Sequence, residues 1–219
     1  MTGTELLLWA KGPGFNIALI ILLFGLLLRL FEILSLGRRP DRSVPRGDAR
    51  SQGMKTMWSR FFPGHGMLML SPVVHIAGYV FHAGLFIAIF LFVPHIQLLE
   101  QVVQFAWPGL PSNVVDGVTL VTLLSMIALL VARMKDPVKK MLSGFEDYLT
   151  WVLTFLPLLT GYLAVNRLFY DYETILALHI LSVELLMVLF PFTKLMHAIT
   201  WAFARYYSGT IAGRKGAHS

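Results

Sequence analysis

Five long apolar stretches dominate the chain: Phe15 to Leu36, Met67 to Val93, Val114 to Val131, Tyr148 to Val165, and Thr174 to about Thr200. Each is close to the roughly 20 residues that cross a hydrocarbon core of about 30 Å. The runs are rich in leucine and do not alternate polar with apolar, as the short strands of a membrane barrel do. Backbone in lipid must satisfy its own hydrogen bonds, and a helix does so within one segment. The pattern therefore predicts an all-α integral membrane bundle of five transmembrane helices, a single membrane domain over residues 1–219.

Composition agrees with this. Of the 219 residues, 56% are hydrophobic and 14% charged, and the mean hydropathy of +0.68 is too high for a soluble domain. The net charge of +6 raises nucleic acid as a partner, but the cations gather in loops beside the apolar runs. That arrangement sets membrane orientation, so lipid and not nucleic acid is the expected partner. Arg38, Arg39, Arg42, Arg46, Arg50, Lys55 and Arg60 fill the loop at 37–64; Arg133, Lys135, Lys139 and Lys140 follow the third stretch. Arg205, Arg214 and Lys215 lie in the tail, whereas the opposite side offers Lys11 and Arg167. The expected topology is multi-pass in the cell (inner) membrane, with the N-terminus outside, the C-terminus cytoplasmic and a basic cytoplasmic loop at 37–64 that either only orients the chain or also docks a subunit. The first stretch lacks a cleavage signature and is expected to be retained.

The absence of cysteine excludes thiolate-held clusters, thiolate haem ligation and covalent CxxCH attachment. A redox cofactor in this chain must then be held mainly by histidine. Of seven histidines, His75, His82, His179 and His197 lie in or at the ends of the second and fifth stretches, with His95 at the far end of the second. Ionisable groups in a bilayer are costly and mark proton paths or cofactor sites; hydrogen bonding between helices accounts for one or two of them at most. His179 and His197 are 18 residues apart, which on one continuous helix is five turns and roughly 27 Å of rise. Two b haems stacked along that helix would each need a second axial imidazole from the second stretch. His82 and His95, separated by about 19.5 Å of rise, suit two depths, although an ideal helix turns them about 140° apart; Pro94 is positioned to change that phase. His75 shares a face with His82 at about 10.5 Å and is the reserve ligand. His65 reads as interfacial and His218 as tail.

The segment LHILSVELLMVLFPFTKLMH, Leu178 to His197, resembles the last helix of the cytochrome b gamma subunit of respiratory nitrate reductases, in which two histidines at this spacing flank a Phe-Pro-Phe-Ser/Thr-Lys/Arg run. The runs EDYLTWVLTFLPLLTG and FHAGLFIAIFLFVPHI, the five-helix plan and the basic loops extend the resemblance over most of the chain. The family spaces the histidines of its second helix differently. The resemblance implies that His197 binds a haem near the cytoplasmic face and His179 one near the outer face; His82 and His95, ranked by their depths on the second stretch, are the expected partners. It also implies electron transfer between membrane quinone (menaquinol or ubiquinol) and a cytoplasmic iron–sulfur subunit, with the terminal chemistry on a separate catalytic subunit.

Among the charged residues, Glu184 sits in mid-helix as either a quinol proton acceptor or a protonated interhelical hydrogen bond. Arg29 and Glu32, three apart, suit an ion pair, the alternative being Arg29 against a haem propionate. Asp171 and Glu173 are candidate exits for quinol protons. No phosphate loop, hydrolytic triad or metal-hydrolase pattern is present. Two other readings stay open: a one-haem variant using His82 and His197, and a haem-free anchor whose histidines form a proton path.

Overall fold

The computed structural model describes residues 2–37 and 44–217, so Arg38, Arg39, Arg42 and His218 lie outside the described residues. In chain order the helices are α1 (Gly3–Trp9), a π turn (Ala10–Gly14), α2 (Phe15–Ser35), α3 (Ala49–Ser59), α4 (His65–Leu70), α5 (Pro72–Phe90) and α6 (Val93–Val103). Then come α7 (Ser112–Lys135), α8 (Pro137–Leu142), α9 (Phe145–Val165), α10 (Tyr172–Leu189), two short 3-10 turns (Phe190–Phe192 and Lys194–Met196) and α11 (His197–Arg214). Five helical spans, Gly3–Ser35, Pro72–Phe90, Ser112–Lys135, Phe145–Val165 and Tyr172–Phe192, are long and apolar enough to cross a membrane. Exposed Phe24, Leu27 and Phe86 fit such a setting, because lipid covers apolar side chains as a core would.

Three sequence expectations need correction. The first span begins at Gly3, twelve residues before the predicted Phe15 (15 − 3 = 12), because the π turn carries the chain past Pro13 without ending the helix. The second stretch is three helices. Ser71 takes an extended φ of −148° before Pro72, and Phe92, at ψ 122°, starts a new helix whose first turn holds Pro94. The last stretch does not run unbroken to Thr200: α10 stops at Leu189, Pro191 lacks an N–H to donate, and Thr193 is extended at φ −124°, ψ 175°. The five-turn phase relation between His179 and His197 presumed a continuous helix and is withdrawn.

The chain forms two compact units, residues 1–21 with 71–189 and residues 22–70 with 190–219. In the first, Ala88, Leu123, Met126 and Leu158 bring α5, α7 and α9 together, flanked by Phe81, Trp151 and Phe155. Trp151 Nε1 donates to the Met126 carbonyl at 2.9 Å and the ring stacks on Phe155. Gly84 lets α5 approach α7 closely: a Cβ there would overlap the hydroxyl of Thr122, which is wholly buried and donates to the Val118 carbonyl at 2.7 Å. Ala10 and Ala177, both fully buried, seat the N-terminal helix against α10.

In the second unit, α3 lies within the stretch expected to be a loop. Asp48 caps it, accepting from the backbone N–H of Arg50 and Ser51, and it runs antiparallel to α11. Small residues make this contact: Thr56 meets Gly209, Gly53 meets Tyr206 and Thr210, and Gly213 meets Gln52 and Asp48. At the other end of the pair, Trp58, Phe61 and Trp201 cluster with ring centres 5.0 to 6.5 Å apart.

Candidate cofactor site

The break between α5 and α6 leaves carbonyls of the last turn of α5 without helical donors. Three groups supply them: His95 Nδ1 donates to Ala88 O at 2.7 Å, Trp107 Nε1 to Phe90 O at 2.5 Å, and the Leu110 N–H to Leu91 O at 2.8 Å. Non-helical backbone is thus satisfied, and the same bonds fix the His95 ring.

That ring lies against His179 of α10, with centres 6.1 Å apart and planes 18° from parallel. His179 is held from the other side. Thr160 donates its hydroxyl proton to the Leu156 carbonyl at 2.7 Å, so its oxygen is the acceptor for His179 Nδ1, 3.3 Å away. Ser182 lies 3.0 Å from the Thr160 hydroxyl and donates to the His179 carbonyl at 2.7 Å. Gly161 makes room for the ring: a Cβ there would stand 3.0 Å from His179 Cε1 and 3.2 Å from Nδ1. In both histidines the proton is therefore on Nδ1 and the lone pair on Nε2, the tautomer that a metal bound through Nε2 requires.

His95 and His179 are the residues that would hold such a metal, each carrying a ring nitrogen not engaged in the hydrogen bonds above. Among the described residues no three His, Cys, Asp or Glu side chains cluster as a metal site. A facing pair suits an ion that brings its equatorial ligands with it, as haem does.

The other predicted residues are placed as follows. His75 and His82 each donate from Nδ1 to the carbonyl four residues back, Ser71 O at 2.8 Å and Gly78 O at 2.7 Å. His197, the first residue of α11, donates to Lys194 O at 2.7 Å and belongs to the second unit; His65 is exposed there. Glu184 is 6% exposed, with Oε1 lacking a hydrogen-bond partner among the described residues, and it faces the π turn: a Cβ on Gly14 would lie 2.9 Å from Oε2 and 2.7 Å from the Trp9 ring. Arg29 pairs with Glu32 at 2.7 Å, donates from Nε to Pro191 O at 2.9 Å and lies 6.0 Å from the Phe192 ring centre. It clamps the Phe-Pro-Phe break, supplying a donor to a carbonyl in that turn. Asp171 caps α10 through the Thr174 N–H, and the hydroxyl and N–H of Thr174 hold its carboxyl below the usual carboxylate range. Glu173 is exposed.

Sequence reasoning missed Thr160, Gly161, Ser182 and Trp107. The one available signal was a Thr-Gly pair in the last turns of an otherwise bulky helix, where small residues permit close approach.

Comparison with known proteins adds little chemistry. No family model matches the chain, and no solved structure does. A protein of Nitratidesulfovibrio vulgaris (strain Hildenborough) that bears no functional name is 28% identical over 134 residues, covering 61% of this chain. The chain spans 59% of that relative's length.

Proposed function

We propose that the chain is a membrane cytochrome b subunit, similar to the gamma subunit of respiratory nitrate reductases. It moves electrons between membrane quinone and a cytoplasmic iron–sulfur partner, while a separate catalytic subunit carries out the terminal reaction. The observation that carries this reading is the His95–His179 pair, with near-parallel rings 6.1 Å apart and each Nδ1 held by an acceptor. Haem, when bound, supplies the one-electron chemistry. His95 and His179 would hold it, and the Ala88 carbonyl and Thr160 fix ring orientation, as outer partners of metal-bound histidines do. Gly161 keeps α9 clear of the His179 ring.

The sequence reading adds a second haem that His82 and His197 would hold, with His75 structural, and the haem count below tests it. Glu184 is the acceptor for a quinol proton, its buried and unpartnered Oε1 being the feature that supports the role. The basic stretch at 37–64 faces the cytoplasm beside the partner subunit.

The test is a dithionite-reduced minus oxidised spectrum of the purified protein with haem counted per chain. Two b haems are expected, with His95→Ala and His179→Ala losing the same one, His82→Ala and His197→Ala the other, and His75→Ala neither. A folded protein supplied with haem that shows no b-type spectrum would overturn the reading in favour of an anchor or proton path. One haem lost only in His95→Ala and His179→Ala would reduce it to a one-haem cytochrome.

A further inference from the structure

The second unit holds a half-buried cation with no ion pair among the described residues. Arg205 of α11 lies over two aromatic faces, its guanidinium carbon 4.6 Å from the Phe61 ring centre and 5.6 Å from that of Trp201. Its Nη1 is buried and makes no hydrogen bond among the described residues. Stacking satisfies the faces of a guanidinium but not its in-plane N–H donors, and a buried unmet donor on a charged group is expensive. Neither helix of the pair provides a remedy, for α3 and α11 contain no Asp or Glu.

Position narrows the missing anion. His197, Trp201 and Arg205 follow one another at intervals of four and share one stripe of α11. Arg205 stands roughly 12 Å along the axis from His197, and helical side chains lean toward the N-terminus, so the arginine reaches back toward that histidine. Haem carries two carboxylates on one edge. Arginine is suited to them because its planar fork matches a carboxylate with two parallel hydrogen bonds. Arg29, the sequence candidate for such a contact, is already engaged by Glu32 and the Pro191 carbonyl.

We propose that Arg205 holds a propionate of the haem bound by His197, which rests on the cytochrome b reading above. Phe61 and Trp201 cover the faces of the guanidinium and leave its in-plane donors for the propionate, and α3 is held beside α11 through Gly53, Gly209 and Gly213. A phospholipid phosphate offers the same oxyanion chemistry, so the experiment separates the two.

The full chain would be placed in nanodiscs of neutral phospholipid, with haem counted and each midpoint potential titrated for wild type, Arg205→Gln, Arg205→Lys and, as a control, Arg50→Gln. Removing a cation beside a haem favours the ferric state. Arg205→Gln is expected to shift the redox equilibrium of one haem about tenfold toward ferric, 59 mV for one electron. Arg205→Lys should shift it less than about threefold, while the other haem and the Arg50 variant stay unchanged. Loss of that haem from Arg205→Gln but not from Arg205→Lys would support the contact equally. Both haems within about twofold of wild type in Arg205→Gln, or equal shifts or losses in the Gln and Lys variants, would overturn it. A wild-type midpoint that moves when phosphatidylglycerol is added, and stops moving in Arg205→Gln, would assign the anion to lipid. Absence of haem from the wild type removes the cytochrome reading and this inference together, whereas two haems indifferent to Arg205 remove this inference alone.

Discussion

Replacing Gly84 with alanine tests the helix packing that positions the candidate ligands. The new Cβ would overlap the Thr122 hydroxyl and stand 3.0 Å from Thr122 Cβ and 3.2 Å from Cγ2. Thr122 is 0% exposed and has no solvent into which to turn. Rotating it about χ1 breaks the 2.7 Å bond to the Val118 carbonyl, about 1 kcal/mol, and still leaves the Cβ contact. Parting α5 from α7 instead loosens the Ala88, Leu123, Met126 and Leu158 cluster. Overpacking of this size costs about 1–3 kcal/mol, so the total should be about 2–4 kcal/mol. Unfolding in mixed micelles, followed by helical circular dichroism, measures it. Thr122→Ala alone should cost about 1 kcal/mol. The double variant should recover about half the Gly84→Ala loss, giving a coupling of about 2–3 kcal/mol in magnitude; full recovery is barred because Cβ stays 3.0 Å from Cβ. A Gly84→Ala protein within about 0.5 kcal/mol of wild type, or strict additivity in the double variant, would refute the close approach of α5 and α7 at this point.

Other predictions concern the site and its surroundings. Gly161→Ala should force the His179 ring outward by a few tenths of an ångström and lower occupancy of the haem it shares with His95, leaving the second haem intact; haem counting and redox titration decide. Trp107→Phe removes the donor to the Phe90 carbonyl and should destabilise the α5–α6 break by about 1 kcal/mol, visible as faster hydrogen exchange at Leu110. Asp136 caps α8, and its hydrogen bonds from the Lys139 ammonium and N–H hold its carboxyl below its ordinary value of 3.8. A carboxyl lowered by folding stabilises above its unfolded pKa and loses that contribution as pH falls through the folded one. Protection of the α8 amides should therefore be level from neutral pH down to about 4 and decline below it, and Asp136→Asn should remove the decline.

The five spans were legible because lipid imposes a length and polarity rule that few other constraints override. Their interruptions were less so. The apolar run continues through Phe190, Pro191 and Phe192, so hydropathy hid the end of α10; only the missing proline N–H marks it. At Pro94 the sequence did point to a change of phase, and the helix resumes at Val93 with His95 turned onto His179. Helix α3 was invisible because its polar sequence carries no apolar stripe and holds Gly53 in mid-helix, and the segment is held through contact with Gly209 and Gly213, far along the chain. His95 and His179 could be named from sequence, but their pairing, and the roles of Thr160 and Arg205, depend on which helices pack together.

The bonds that close the end of α5 also predict an order of assembly. The carbonyls of Ala88, Phe90 and Leu91 are met by His95, Trp107 and Leu110, all later in the chain. Until synthesis reaches residue 110, the last turn of α5 keeps bare acceptors that hydrocarbon will not take without several kcal/mol of penalty. The end of nascent α5 is therefore expected to stay with water or the insertion machinery until the loop that follows has been made. A ribosome-stalled chain ending before Trp107 should stay crosslinkable to the insertion machinery, and one extended past Leu110 should be released.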